Sequence, residues 1–133
     1  MMKRTFFSIV YLTAIISVCL LSCSKNSSTA NVPHQLTYKV TANDYTPLTS
    51  ISYVDTSYAP VTGSAADSSS GWSKTYAVPA SFAAQLSIQG INSTSATLYY
   101  TLEIDEDGAV KTKVQDSAAK FTSFNSQISA AIQ

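Results

Sequence analysis

This 133-residue chain balances eight Lys and Arg against eight Asp and Glu, and only 12% of it is charged. From Lys25 onward it holds six lysines, no arginine and eight acids, a net charge of −2. That distribution excludes a nucleic-acid binder, because phosphate affinity comes from clustered Lys and Arg. The length that follows the first 22 residues is enough for one small domain.

Lys3 and Arg4 precede "TFFSIVYLTAIISVCLLS", which is apolar but for a few Ser and Thr. A short basic start, an apolar middle and small residues at its end read as a secretory signal. The run from Phe6 to Leu21 is about 16 residues, below the roughly 20 that a spanning helix needs. Leu20, Leu21, Ser22 and Cys23 resemble a bacterial lipobox. The resemblance implies cleavage after Ser22, a diacylglycerol on the Cys23 thiol, and Cys23 as the acylated N-terminus. Two or three acyl chains anchor stably, at about 0.8 kcal/mol per buried methylene. Cys19 leaves with the signal, so the remainder has no thiol for a disulfide, a zinc site or a nucleophile. The expected organisation is a signal peptide over 1–22, a flexible tether over 23–34 and one domain over 35–133. The tether reading rests on "SKNSSTANVP", which is small, polar and without periodicity.

Alternation starts at "LTYKVTA", with Leu36, Tyr38, Val40 and Ala42 on one face. "SISYVD" pairs Ile51 with Tyr53. Thr56 to Gly71 reads as a long loop, for its Pro60, Gly63, Gly71 and serine run. "WSKTYAVP" places Trp72, Tyr76 and Val78 together with Lys74 between them, which suits a bulge or an edge. "QLSIQG" turns Leu86 and Ile88 inward. "SATLYYTLEID" sets Ala96, Leu98, Tyr100, Leu102 and Ile104 against Thr97, Tyr99, Thr101, Glu103 and Asp105. Asp107-Gly108 is a favoured pair for a tight hairpin, and "VKTKV" returns with Val110 and Val114 facing in. In the tail, Phe121, Phe124, Ile128 and Ile132 fit a helical face, and a strand through Phe121 to Ile128 fits nearly as well; the strand is slightly preferred. The sum is all-β: an immunoglobulin-like antiparallel β-sandwich of about seven strands, without the disulfide.

No catalytic constellation is legible, no cofactor is implied, and the expected protein is not an enzyme. His34, the sole histidine, sits beside the tether and reads as exposed and idle, because a catalytic histidine needs an orienting acid and a held nucleophile. Glu103, Asp105, Glu106 and Asp107 do not have EF-hand spacing and read as a solvated hairpin tip, with Lys111 and Lys113 available to Glu103 and Asp105. Candidate binding residues are Tyr99, Tyr58 and Trp72. Exposed aromatic side chains bury much area at low entropic cost, although Trp72 also suits a core anchor and Tyr99 ordinary cross-strand packing.

The order "YKVT", "ISYVD", "WSKTYAV", "LSIQG", "ATLYYTLEIDEDGAV" over Leu36 to Val114 resembles the MmpS-like transport accessory proteins of mycobacteria and relatives. Tyr38, Ile51, Tyr53, Asp55, Trp72, Ser73, Asp107 and Gly108 occupy the matching positions. The resemblance implies a β-sandwich outside the inner membrane that assists resistance-nodulation-division type exporters. Members of that family have a transmembrane anchor and often cysteines in the domain, whereas this chain has a lipobox and no later cysteine. The expected protein is an accessory or protein-interaction lipoprotein that presents an edge strand or the Thr56–Gly71 loop to an envelope transporter. The alternative is a small-ligand or glycan binder using its exposed tyrosines. The tether lacks the acidic run associated with surface export in some Bacteroidetes lipoproteins, so the expected place is the outer membrane, facing the periplasm.

Overall fold

The computed structural model describes residues 32–63 and 71–133. The lipobox-like residues Leu20, Leu21, Ser22 and Cys23, and most of the expected tether, lie outside the described residues. So does the serine run at 64–70.

Eight strands form in chain order: β1 (His34–Ala42), β2 (Leu48–Val54), β3 (Pro60–Gly63), β4 (Trp72–Val78), β5 (Ala83–Asn92), β6 (Leu98–Glu106), β7 (Ala109–Ala118) and β8 (Thr122–Ala131). They make two antiparallel sheets, β4-β1-β6-β7 and β3-β2-β5-β8, packed as a β-sandwich. No helix among the described residues is long and apolar enough to cross a membrane.

The alternation read from the sequence is what builds the core. Leu36, Tyr38 and Val40 of β1, Ile51 and Tyr53 of β2, Leu86 and Ile88 of β5, and Leu98, Tyr100, Leu102 and Ile104 of β6 are all buried between the sheets. The tail is a strand, in register with β5 over ten residue pairs. Asp107 and Gly108 have φ of 51° and 82°, the paired left-handed conformations of a type I′ hairpin between β6 and β7.

Several expectations change. Among the described residues there are eight strands where about seven were expected, because Pro60–Gly63 leaves the expected loop and pairs with β2 as β3. His34 is not an idle neighbour of the tether; it opens β1 opposite Val78. Val110 is exposed, because a bulge shifts the β6–β7 register so that Ile104 faces Thr112 and Asp105 faces Val110. Lys111 is the extra residue, and Val110 therefore lies on the outer face.

An aromatic cluster spans the sandwich. The Tyr53 ring centroid lies 5.6 Å from Tyr38, 5.3 Å from Trp72 and 5.9 Å from Tyr76. The Tyr38 hydroxyl donates to the Val54 carbonyl at 2.8 Å. Burial pushes this phenol up to about 12, with the Asp55 charge acting in the same direction. Tyr76 is likewise pushed up to about 12, first by burial and then by its hydrogen bond to Tyr53.

A tyrosine in the unfolded chain ionises near 10. Between there and the folded value, only the unfolded chain loses its proton. The contribution is therefore complete below about pH 10 and is lost as pH rises toward 12. For Tyr38 alone, two pKa units amount to about 3 kcal/mol. Urea midpoints at pH 8 and pH 11 should fall steeply for the native chain and less steeply for Tyr38→Phe. Equal slopes would mean that the ring opens to water before it ionises.

Candidate functional site

The acidic stretch was expected to be a solvated hairpin tip, and the structure corrects this. Asp105 and Glu106 are buried. Lys39 on β1 binds Asp105 and lies 3.1 Å from Glu103, while Lys113 on β7 reaches Glu103 at 3.2 Å. Lys111 pairs with Glu106 at 2.6 Å rather than with Asp105. Lys39 holds Glu103 below the usual carboxylate range, and Asp105 followed by Glu103 raises the Lys39 ammonium.

At the hairpin itself, His34 Nδ1 lies 3.0 Å from Glu106 and 2.9 Å from Asp107. These three residues are grouped closely enough to ligate a cation, within 4.8 Å of one another. Their atoms already have other partners. The Gln133 N–H donates to Glu106 Oε1 at 3.0 Å and the Gln35 N–H donates to Asp107 Oδ1 at 2.7 Å. Glu106 is held low by Lys111 first, and Asp107 by the Gln35 N–H first and then His34. A cation there would compete with the Gln133 N–H for Glu106 Oε1 and would meet the Lys111 ammonium on the other carboxylate oxygen. The cluster is a clasp: Glu106 in one sheet takes a hydrogen bond from Gln133, two residues past the end of β8 in the other.

The surface with binding geometry lies at the far end of β1. Tyr99 is the second residue of β6 and points outward, 62% exposed. Asn43, just past β1, holds its backbone. The Asn43 N–H donates to the Tyr99 carbonyl at 3.1 Å, and Asn43 Oδ1 accepts from the Tyr99 N–H at 2.8 Å. Beside the ring is an open groove of about 590 Å³, lined by Thr41, Asn43, Thr101, Gln115, Asp116 and Ser117 among others. Tyr99, Thr101 and Thr41 share the outer face of the sheet with Gln115 and Ser117 of β7, which lie directly opposite Thr101 and Tyr99. Asp116 accepts from the Tyr100 hydroxyl at 3.3 Å and the Ser117 N–H at 2.7 Å. Burial raises the Tyr100 phenol, so it remains a donor to that carboxylate. An exposed ring, hydroxyls, amides and one carboxylate make a surface that can stack and hydrogen-bond.

The three candidate aromatic residues do not come together. Trp72 is 7% exposed and packs in the core, so it is an anchor and offers no platform. Tyr58 is exposed in the β2–β3 turn at φ 61°, with its ring 5.1 Å from Phe82. Phe82 precedes β5, whereas Tyr99 lies beyond the other end of that strand, so the two tyrosines occupy opposite ends of the sandwich. Tyr45, which reads as an exposed loop tyrosine, is tied down: its hydroxyl donates to the Val40 carbonyl and accepts from the Ala42 N–H, both at 3.0 Å. Sequence reasoning missed Asn43, Gln115 and Asp116. Nothing in "NDYTP" or "VQDS" marks them, because only the pairing of β1, β6 and β7 brings them to one groove.

In comparison with known proteins, no protein-family model matches this chain, and no curated protein matches it in sequence.

Proposed function

We propose that this protein is a lipid-anchored, non-enzymatic accessory module of the cell envelope that holds a protein partner at the Tyr99 groove. The observation that carries the reading is the Tyr99 ring, exposed on a strand whose backbone Asn43 holds in place. A rigid aromatic side chain beside a polar groove is the usual anchor of a protein contact. The lipobox supplies the address, with Cys23 at the membrane and the domain facing the periplasm from the outer membrane. The MmpS-like order of motifs supports a transporter of the resistance-nodulation-division type as the partner.

A second reading uses the same groove. Its lining is rich in hydroxyls and amides next to an exposed ring, which suits a small neutral ligand such as a glycan.

A photo-reactive residue at Tyr99, in the full chain in cells, tests the first reading. One envelope transporter subunit should be captured from Tyr99 and not from Lys74 on β4. With the photo-reactive residue moved to Ser117 on the same groove, Tyr99→Ala should weaken capture by about tenfold or more, as expected for an aromatic anchor. Capture of abundant neighbours alone would overturn the reading. Saturable quenching of tyrosine fluorescence by a neutral sugar, abolished in Tyr99→Ala, would then establish the second.

A further inference from the structure

An edge strand presents a row of unpaired N–H and C=O groups, and natural sheets protect such edges with charge, proline, bulges or short length. This sandwich has four edges, β4 and β7 on one sheet and β3 and β8 on the other. β3 has four residues and begins with Pro60. β4 carries the exposed Lys74. β7 carries Lys111, Lys113 and the bulge. β8 has none of these devices. Its ten residues, TSFNSQISAA, include no charge and no proline, and its register with β5 runs unbroken from Ala83↔Ala131 to Asn92↔Thr122. Among the described residues nothing pairs with its other edge.

Two observations point to the same strand of a second copy as the occupant. The first is charge. A strand that pairs with itself across a twofold axis sets its side chains against their own copies, so any charge would meet a like charge nearby. The outer face beside this edge is neutral throughout, with Ser87, Gln89, Asn125 and Gln127 alternating along β5 and β8. The second is Phe121. It is 70% exposed in the turn that leads into β8, at φ 60°, and the described residues leave most of its ring uncovered.

Period-two alternation limits the register. The axis must pass through a residue that pairs with itself, or the inward and outward faces would exchange. An axis at Ser126 sets Phe124 opposite Ile128 of the second copy and Asn125 opposite its Gln127. It also brings Phe121 to the level of Ala131 of the second copy.

We propose that β8 pairs antiparallel with β8 of a second copy about a twofold axis at Ser126, joining two four-stranded sheets into one eight-stranded sheet. This pairing rests on the fold and is independent of the reading of the Tyr99 groove.

Disulfide crosslinking of the full chain in cells tests it. Ser126→Cys should give a dimer band above the background of the unsubstituted chain. Thr62→Cys, on the β3 edge, should give none. Adding Asn125→Lys and Gln127→Lys should remove the band, because four ammonium groups would then crowd one edge.

Sedimentation of the full chain in detergent gives a measurement without added cysteine. It should return two copies for the native chain, with association weakened by about tenfold or more in the double-lysine variant. A single copy of the native chain, no band at Ser126→Cys, a band unmoved by the lysines, or crosslinking to a different protein or to the chain's own tether would each overturn the proposal.

Discussion

Gly90→Ala should unfold the domain or leave it barely stable. Gly90 is a buried residue of β5, opposite Leu48. The β2–β5 register slips between Leu48 and Ser50, and Thr49 is the extra residue. That irregularity presses the Pro47 carbonyl against β5, where it accepts the Ile91 N–H at 3.0 Å. A methyl group on Gly90 would overlap the Pro47 oxygen and come within 2.8 Å of Phe124 Cζ. The first obstacle is backbone, so no rotamer change relieves it, and the second is a ring packed against Tyr100 at 5.4 Å.

Overpacking of this kind costs 1–3 kcal/mol where neighbours yield, and more where they do not. We expect about 4 kcal/mol here, a large share of the roughly 5–15 kcal/mol that holds a small domain folded. Urea denaturation followed by circular dichroism reads it directly. Gly63→Ala is the control, since its new methyl would meet only the Ile51 oxygen, at 3.9 Å. A loss below about 1 kcal/mol for Gly90→Ala, near the centre of ordinary point mutants, would show that the Pro47 segment moves aside.

Asn92→Asp should be nearly as damaging, and its cost should depend on pH. Asn92 is fully buried at the end of β5. Its Nδ2 group donates to the carbonyls of Ala96, Ala118 and Ala119 at 2.9, 3.0 and 3.2 Å. Its Oδ1 accepts from the Thr94 N–H and hydroxyl at 3.2 and 2.7 Å. One side chain thus ties the β5–β6 connection to the turn between β7 and β8. An aspartate has the same shape, but it replaces the donor with an acceptor that faces three carbonyl oxygens. A buried charge without a partner costs about 3–5 kcal/mol.

Burial and those carbonyls both disfavour the charged form, so the folded pKa of the new carboxyl lies above its unfolded value near 3.9. The penalty is therefore smallest below about pH 4 and grows as pH rises through the folded value. Urea midpoints of variant and native chain should differ more at pH 7 than at pH 4. An equal gap at both pH values would mean that water enters and solvates the carboxylate.

Asn92 also marks how far the sequence can be read. "GINSTSA" looks like any polar connection, and no local pattern separates a buried amide hub from a surface asparagine. The distinction depends on Ala118 and Ala119 arriving from the far side of the sandwich. Asp105 is a similar case. Its place in the alternation of β6 puts it on the outer face, as expected, yet Lys39 from β1 covers it. His34 gained its partners the same way, because pairing of β1 with β6 delivers Glu106 and Asp107 to it.

The tail illustrates a real ambiguity. Phe124, Ile128 and Ile132 recur every four residues, which satisfies a helix of period 3.6 and a strand of period 2 equally. Only Phe121 distinguishes the two readings, and it sits exposed in a turn. Pairing with β5 decided for the strand, because the free edge of β5 needed hydrogen bonds that a helix would not supply. The short strand β3 was hidden for a related reason. In its four residues Pro60 and Gly63 offset the β propensity of Val61 and Thr62, and pairing with β2 holds them.

By itself, the sequence determined which residues line the core, the sheet-forming alternation, the Asp107-Gly108 hairpin and the all-β class. These follow from side-chain periodicity and turn chemistry, which are local. The tertiary structure alone decided the number of strands, the bulge that turned Val110 out, the burial of Asp105, the Tyr99 groove and the unguarded edge of β8. Each of those depends on which strands lie side by side, and strand partners distant in the chain leave no mark on the local pattern of either one.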